Sequence, residues 1–164
     1  MGEFDQVMAA FGPALARVAA GYERDPALRA DLAQEIAIAV WRALPRLQDP
    51  ARLRAYVFRI AHNRAVSHVI SRAREPDLAG DAALEPLACD GPGPERALIV
   101  KERSERLMTA VRALPLAQRQ PLILALEGLS YAEIGEALGI SETLAGVRIS
   151  RARQRLKAEF DDER

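Results

Sequence analysis

The stretch LSYAEIGEALGISETLAGVRISRARQRL, residues 129–156, constrains the fold more than any other, because its punctuation fixes where two helices start and stop. Ser130 and Glu133 stand in the S-x-x-E spacing of a capping box, in which the hydroxyl accepts from the backbone three residues on and the carboxylate reaches back to the cap. Leu129 and Ile134 bracket them at the two positions of a hydrophobic staple. A helix is predicted to begin at Tyr131 and to end at Leu138, where Gly139 can take the left-handed conformation that closes a helix. Ser141 is placed to cap the next one. A short helix, a glycine turn and a capped second helix are the parts of a helix-turn-helix.

Winding the second helix at about 100° per residue divides its surface. Ala145, Ile149, Ala152 and Leu156 fall in one sector and form a packing stripe. Thr143, Val147, Ser150, Arg151 and Gln154 lie opposite, where short polar and arginine side chains can read base edges in a major groove. Arg148 and Arg155 border that face on one side, and Gly146, Arg153 and Lys157 on the other, positions suited to phosphates. Residues 148–157 carry five basic side chains and no acidic one, in a chain with 23 of each. Basic stretches are often only solvated helix faces, but the capping box, staple, glycine turn and split faces fall in register here and favour DNA binding.

Elsewhere, apolar residues recur at three and four rather than at two, so the chain reads as all helical. Phe4, Val7, Met8, Phe11, Leu15, Val18 and Tyr22 make one stripe, which Pro13 is expected to kink or break. Leu28, Leu32, Ile36, Ala39, Val40 and Leu44 line a second helix, and Leu53, Val57, Ile60, Ala61 and Val69 a third. Phe58 and Trp41 are both expected in the core. Between the halves, EPDLAGDAALEPLACDGPGPE collects prolines, glycines and acids without a sustained period and reads as a flexible linker.

The fold class is therefore all-α, with two small helical domains, 1–75 and 97–164, joined by a linker at 76–96. Residues 1–75 hold eleven arginines against eight acids, and 76–100 one arginine against five acids. Asp77, Asp81, Glu85 and Asp90 of that acidic stretch are expected to rest against the basic faces when DNA is absent. The lone Cys89 permits no internal disulfide, which fits a reducing compartment. No run approaches a membrane span, and the N-terminal MGEFDQVMAAF carries acids where a signal peptide has a basic start, so a cytoplasmic location without membrane insertion is expected.

Two separated stretches, in order, carry a family resemblance. DLAQEIAIAVWRALPRL with LRAYVFRIAHNRAVSHVISR, followed by LPLAQRQPLILALEGLSYAEIGEALGISETLAGVRISRARQRL, resembles the extracytoplasmic-function group of sigma-70-type bacterial sigma factors, which keep only the second and fourth sigma domains. The resemblance implies that residues 1–75 are sigma domain 2 and residues 97–164 sigma domain 4. It implies that Asp31, Gln34 and Glu35 dock on the coiled coil of the largest subunit of core RNA polymerase; the stretch LRAD before them keeps only one acid of the family's usual D-A-E-D. By the same resemblance Arg46, Arg52, Arg54, Tyr56, Arg59, His62, Asn63 and Arg64 hold the melted minus-ten promoter element, Tyr56 standing where a tryptophan is usual. Single strands are held by aromatic stacking in a positive groove, chemistry these residue types supply. Ser141, Thr143, Gly146, Val147, Arg148, Ser150, Arg151, Arg153 and Gln154 are then the readers of the minus-thirty-five element.

The implied function is that of a sigma factor, directing core enzyme to specific promoters and nucleating their melting. The implied partners are core RNA polymerase, through its coiled coil and flap, promoter DNA, and an anti-sigma factor or other gating protein. An alternative is a helix-turn-helix regulator that acts without replacing the sigma subunit. No nucleophile–base cluster, phosphate-cradling loop or metal-ligand spacing is present in the sequence, and His62 and His68 have no cysteine near them, so neither catalysis nor a metal or other cofactor is expected.

Overall fold

The computed structural model describes residues 2–75 and 94–161. Among them there are helices and no strand: α1 (Glu3–Ala20), α2 (Pro26–Ala43), two 3-10 turns (Leu44–Arg46 and Pro50–Arg52), α3 (Leu53–Arg74), α4 (Pro94–Ala113), α5 (Leu116–Leu126), α6 (Tyr131–Leu138) and α7 (Glu142–Asp161). Cys89 and the acids expected to cover the basic faces lie outside the described residues.

In the first half, Asp25 caps α2 by accepting from the backbone N–H groups of Ala27 (2.9 Å) and Leu28 (3.0 Å), with Pro26 at the first helical position, where its missing N–H costs nothing. Leu15, Val18, Leu32, Ile36, Val40, Val57 and Phe58 meet in the core of these three helices. Phe11 sets its ring edge-on to Phe58 at 6.1 Å.

Two expectations are corrected here. Pro13 does not break α1, which runs unbroken from Glu3 to Ala20. Its ring is exposed, so it costs the helix one internal hydrogen bond, while Val7, Leu15, Val18 and Ala19 hold both flanks to the core. Trp41 is not in the core but 58% exposed. It stands nine residues after Leu32, which at about 100° per residue puts it on the opposite side of α2.

The second half follows its punctuation closely. The Glu133 N–H donates to Ser130 Oγ (3.1 Å), and the Ser130 N–H to Glu133 Oε2 (2.7 Å), completing the capping box. Leu129 and Ile134 are both buried. Gly139 closes α6 at φ 68°, and Ser141 Oγ accepts from the Leu144 N–H at 3.1 Å. A second glycine is set by closeness rather than by its dihedral: a Cβ on Gly135 would lie 2.7 Å from the carbonyl oxygen of Ile140. That turn brings α6 against α7, whose Ala145, Ile149 and Ala152 are fully buried.

The two halves share one continuous apolar core. Gly21, after α1, lies so close to α5 that a Cβ there would be 2.5 Å from Ile123 Cδ1. Around this seat, Arg17 forms a two-pronged ion pair with Glu127 (2.8 Å at each contact), and Arg112 Nε donates to the Ala20 carbonyl at 2.8 Å. Buried Arg119 donates to the Leu114 carbonyl and lies 5.6 Å from the centre of the Tyr22 ring.

Candidate nucleic-acid and polymerase interfaces

Three surfaces carry the predicted site residues, on α2, on the loop after α2 with the first turns of α3, and on α7. On α2, Leu32, Ile36 and Val40 face the core, leaving Asp31, Gln34 and Glu35 exposed. Sequence reasoning missed how far that exposed stripe continues: Ile38 (43% exposed) and Trp41 extend it by another turn. The signal was available, since the buried positions recur at four and position 41 falls between them. A polar end beside a large exposed aromatic is the usual make-up of a protein-binding anchor.

The second surface joins the loop after α2 to the first turns of α3. Arg46, Arg59, Asn63 and Arg64 are exposed, and Asp49 braces the intervening turn by accepting from the Ala51 N–H at 3.0 Å. Tyr56 is half-buried, with its hydroxyl donating to the Ala43 carbonyl at 3.1 Å, so the ring is held in place by both α2 and α3. Arg46, Arg52, Tyr56 and Arg59 line a cleft of about 280 Å³. Three guanidinium groups around one fixed aromatic ring suit a base and its phosphates. Arg64 pairs with Glu35 at 3.5 Å, which sets this surface beside the α2 stripe.

One predicted contact residue falls out of this group. His62 is 1% exposed, its ring set edge-on to Tyr22 and its Nδ1 2.7 Å from the Tyr22 hydroxyl. Burial pushes its pKa down to about 3, so it is a neutral core residue and not a DNA ligand. It lies on the α3 stripe of Val57, Phe58, Ala61 and Ala65, a placement that the family resemblance obscured. Burial likewise raises the pKa of Tyr22, keeping that hydroxyl protonated. Glu23, also buried, accepts from the Asp25 N–H and meets His68 Nε2 at 2.6 Å, with Arg72 at 3.4 Å.

The third surface is the outer face of α7. Thr143, Val147, Ser150, Arg151, Arg153 and Gln154 are exposed, and Arg148 is half-buried at their edge. Ser141 is exposed at the helix start, where its hydroxyl serves as the cap. Gly146 faces α6: a Cβ there would come within 3.2 Å of the Tyr131 ring, so the glycine seats that ring against α7. Among the described residues no group of three or more His, Cys, Asp or Glu side chains could hold a metal ion, and no helix is long and apolar enough to cross a membrane.

Comparison with known proteins matches these surfaces to two family descriptions. Residues 7–75 match "Sigma-70 region 2" and residues 104–156 match "Sigma-70, region 4". RNA polymerase sigma factor NccH of Alcaligenes xylosoxydans xylosoxydans is 31% identical, over 94% of this chain and 85% of that protein. The ECF RNA polymerase sigma factor SigD of Mycobacterium tuberculosis is 33% identical, over 79% of this chain and 62% of its own length. Among solved structures, CnrH in complex with the cytosolic domain of CnrY superposes with a TM-score of 0.72 at 27% identity, covering 98% of this chain and 89% of that one. RpoE in complex with the anti-sigma factor NepR, from Bartonella quintana, shares the fold with a TM-score of 0.76 at 24% identity and full coverage of both chains.

Proposed function

The chain belongs to the sigma-70 family as an extracytoplasmic-function RNA polymerase sigma factor, and from that premise we propose how its surfaces divide the work of initiation. Residues 1–75 act as sigma domain 2 and residues 97–164 as sigma domain 4. The α2 stripe docks on core RNA polymerase: Asp31, Gln34 and Glu35 meet arginines of the coiled coil, and Ile38 and Trp41 add apolar area beside them. The cleft of Arg46, Arg52, Tyr56 and Arg59, with Arg54, Asn63 and Arg64 near it, receives the melted minus-ten strand. Helix α7 enters the major groove of the minus-thirty-five element, with Arg151, Ser150 and Gln154 toward base edges and Arg148 and Arg153 toward phosphates.

The observation that carries this reading is the split of α7, where Ala145, Ile149 and Ala152 are buried while Thr143, Val147, Ser150, Arg151 and Gln154 stand exposed on the other side. The protein supplies no catalytic group; polymerase carries the chemistry, in the cytoplasm. An anti-sigma partner, of the kind bound by the RpoE relative, gates it. Run-off transcription with purified core enzyme tests the assignment. Promoter-specific transcripts that disappear when Arg151 and Gln154 are replaced support it. Tight duplex binding without core, and no transcript from any promoter with core, would instead favour a regulator that does not replace sigma.

A further inference from the structure

Two side chains on the outer side of α7 cannot hydrogen-bond a base at all. Val147 is 40% exposed, and Leu144, its neighbour three positions earlier on the helix surface, is 37% exposed. A lone valine at a surface says nothing, but these two sit together on a face whose other members are Thr143, Ser150, Arg151 and Gln154. At about 100° per residue, Val147 lies within about 20° of the direction opposite the buried stripe of Ala145, Ile149 and Ala152. It is the crown of the helix in its second turn. Gln154 shares that direction but stands about 10 Å further along the axis, whereas a recognition helix meets base edges with its N-terminal residues.

The crown is presented rigidly. Valine branches at Cβ and holds one strongly preferred rotamer in a helix, so its two methyls have little freedom to lose on contact. Just before it, Gly146 lets the Tyr131 ring of α6 lie against α7, and Ser141 Oγ holds the Leu144 N–H at 3.1 Å. Ties to the first half of the chain are carried elsewhere: Glu136 Oε1 of α6 lies 2.8 Å from Arg52 Nε, and Arg54 Nη2 donates to the Glu127 carbonyl at 3.0 Å. Neither tie involves Leu144 or Val147, which stay open to a ligand.

An apolar crown has one complement on the floor of a major groove. Adenine, guanine and cytosine present hydrogen-bonding groups there, while thymine adds a C5-methyl. Against the first three, Val147 would strip water from a donor or acceptor and put no partner in its place. Against thymine it buries a methyl group. Resting on the assignment of α7 to the minus-thirty-five element, we propose that Val147 is a specificity-determining residue that reads one thymine of that element through its methyl, with Leu144 shielding the contact from water. Arg151 and Gln154 select by hydrogen bonds, whereas this contact selects by the presence of a single carbon.

The test uses holoenzyme and a promoter duplex selected from a library randomised across the minus-thirty-five element. Each thymine of the element, on either strand, is replaced in turn by deoxyuridine, which pairs identically and lacks only the methyl. At one position the wild-type holoenzyme is expected to bind the deoxyuridine duplex about fourfold more weakly, the scale of one buried methyl. Val147→Ala should bind the thymine and deoxyuridine duplexes equally at that position, and should unfold at the wild-type temperature because the side chain is exposed. Arg151→Ala should weaken binding overall and keep the fourfold difference. A wild type indifferent to deoxyuridine at every position, or a difference that survives in Val147→Ala, overturns the proposal even where Arg151→Ala weakens binding. If Arg151→Ala and Val147→Ala both leave promoter binding unchanged, the assignment of α7 itself fails, and the methyl contact with it.

Discussion

His62 gives the sharpest prediction, because its folded and unfolded states bind protons so differently. In the native chain its pKa is pushed to about 3 by burial, whereas in the unfolded chain it takes the ordinary value near 6.5. Below about pH 6.5 the unfolded state holds a proton on this ring that the native state does not, so stability falls as the pH falls. Each pH unit across that window costs about 1.4 kcal/mol, and acidification from about pH 6.5 to about pH 5 should remove about 2 kcal/mol. His62→Gln keeps an amide to bond the Tyr22 hydroxyl but has nothing to titrate. Urea unfolding at a series of pH values, followed by circular dichroism, measures both proteins. The wild-type stability should decline on acidification with a slope about one proton steeper than that of the variant. Equal slopes would mean that His62 is open to water in solution, and would return it to the DNA-facing side of α3.

Three further outcomes are expected. Gly135→Ala, whose new Cβ would strike the Ile140 carbonyl, should cost about 1–3 kcal/mol and weaken minus-thirty-five binding, read by thermal unfolding and by promoter binding of the holoenzyme. Trp41→Ala should leave thermal stability within about 0.5 kcal/mol, as for an exposed position, yet weaken capture by core polymerase by about 2 kcal/mol in a pull-down or competition assay against another sigma. Arg151→Ala should cost about 1–3 kcal/mol at promoters carrying its preferred base and much less at others, measured across a panel of minus-thirty-five variants.

How much of this was written in the sequence differs between the halves. Around α6 and α7, local chemistry decides the backbone: a capping box, a staple and a left-handed glycine each act within a few residues, and each is found where the spacing puts it. The buried stripe of Ala145, Ile149 and Ala152 follows from helical winding alone. In the first half, placement depends on what a helix packs against. Trp41 looks like core by composition, but its angle on α2 exposes it. His62 looks like a polar DNA contact, but α3 turns it onto Tyr22. Pro13 breaks helices as a rule, yet tertiary contacts on both flanks carry α1 through. Least legible was the joint between the halves: nothing at Arg17, Gly21, Glu127 or Glu136 announces a partner more than eighty residues away, because those contacts are long-range and exist only once both cores are built.

The exposure of Trp41 has an optical consequence. It is the chain's single tryptophan, so emission excited at the red edge of indole absorption comes from this one place on α2. The contacts described between the halves run through the end of α1, the start of α3, the end of α4, α5 and α6, and none of them involves Trp41. Parting of the halves should therefore be silent in this signal, while a protein seated on the α2 stripe would exclude water from the indole and shift its emission to the blue. One intrinsic chromophore thus separates two events, the opening of the chain and its capture, that most labels would report together.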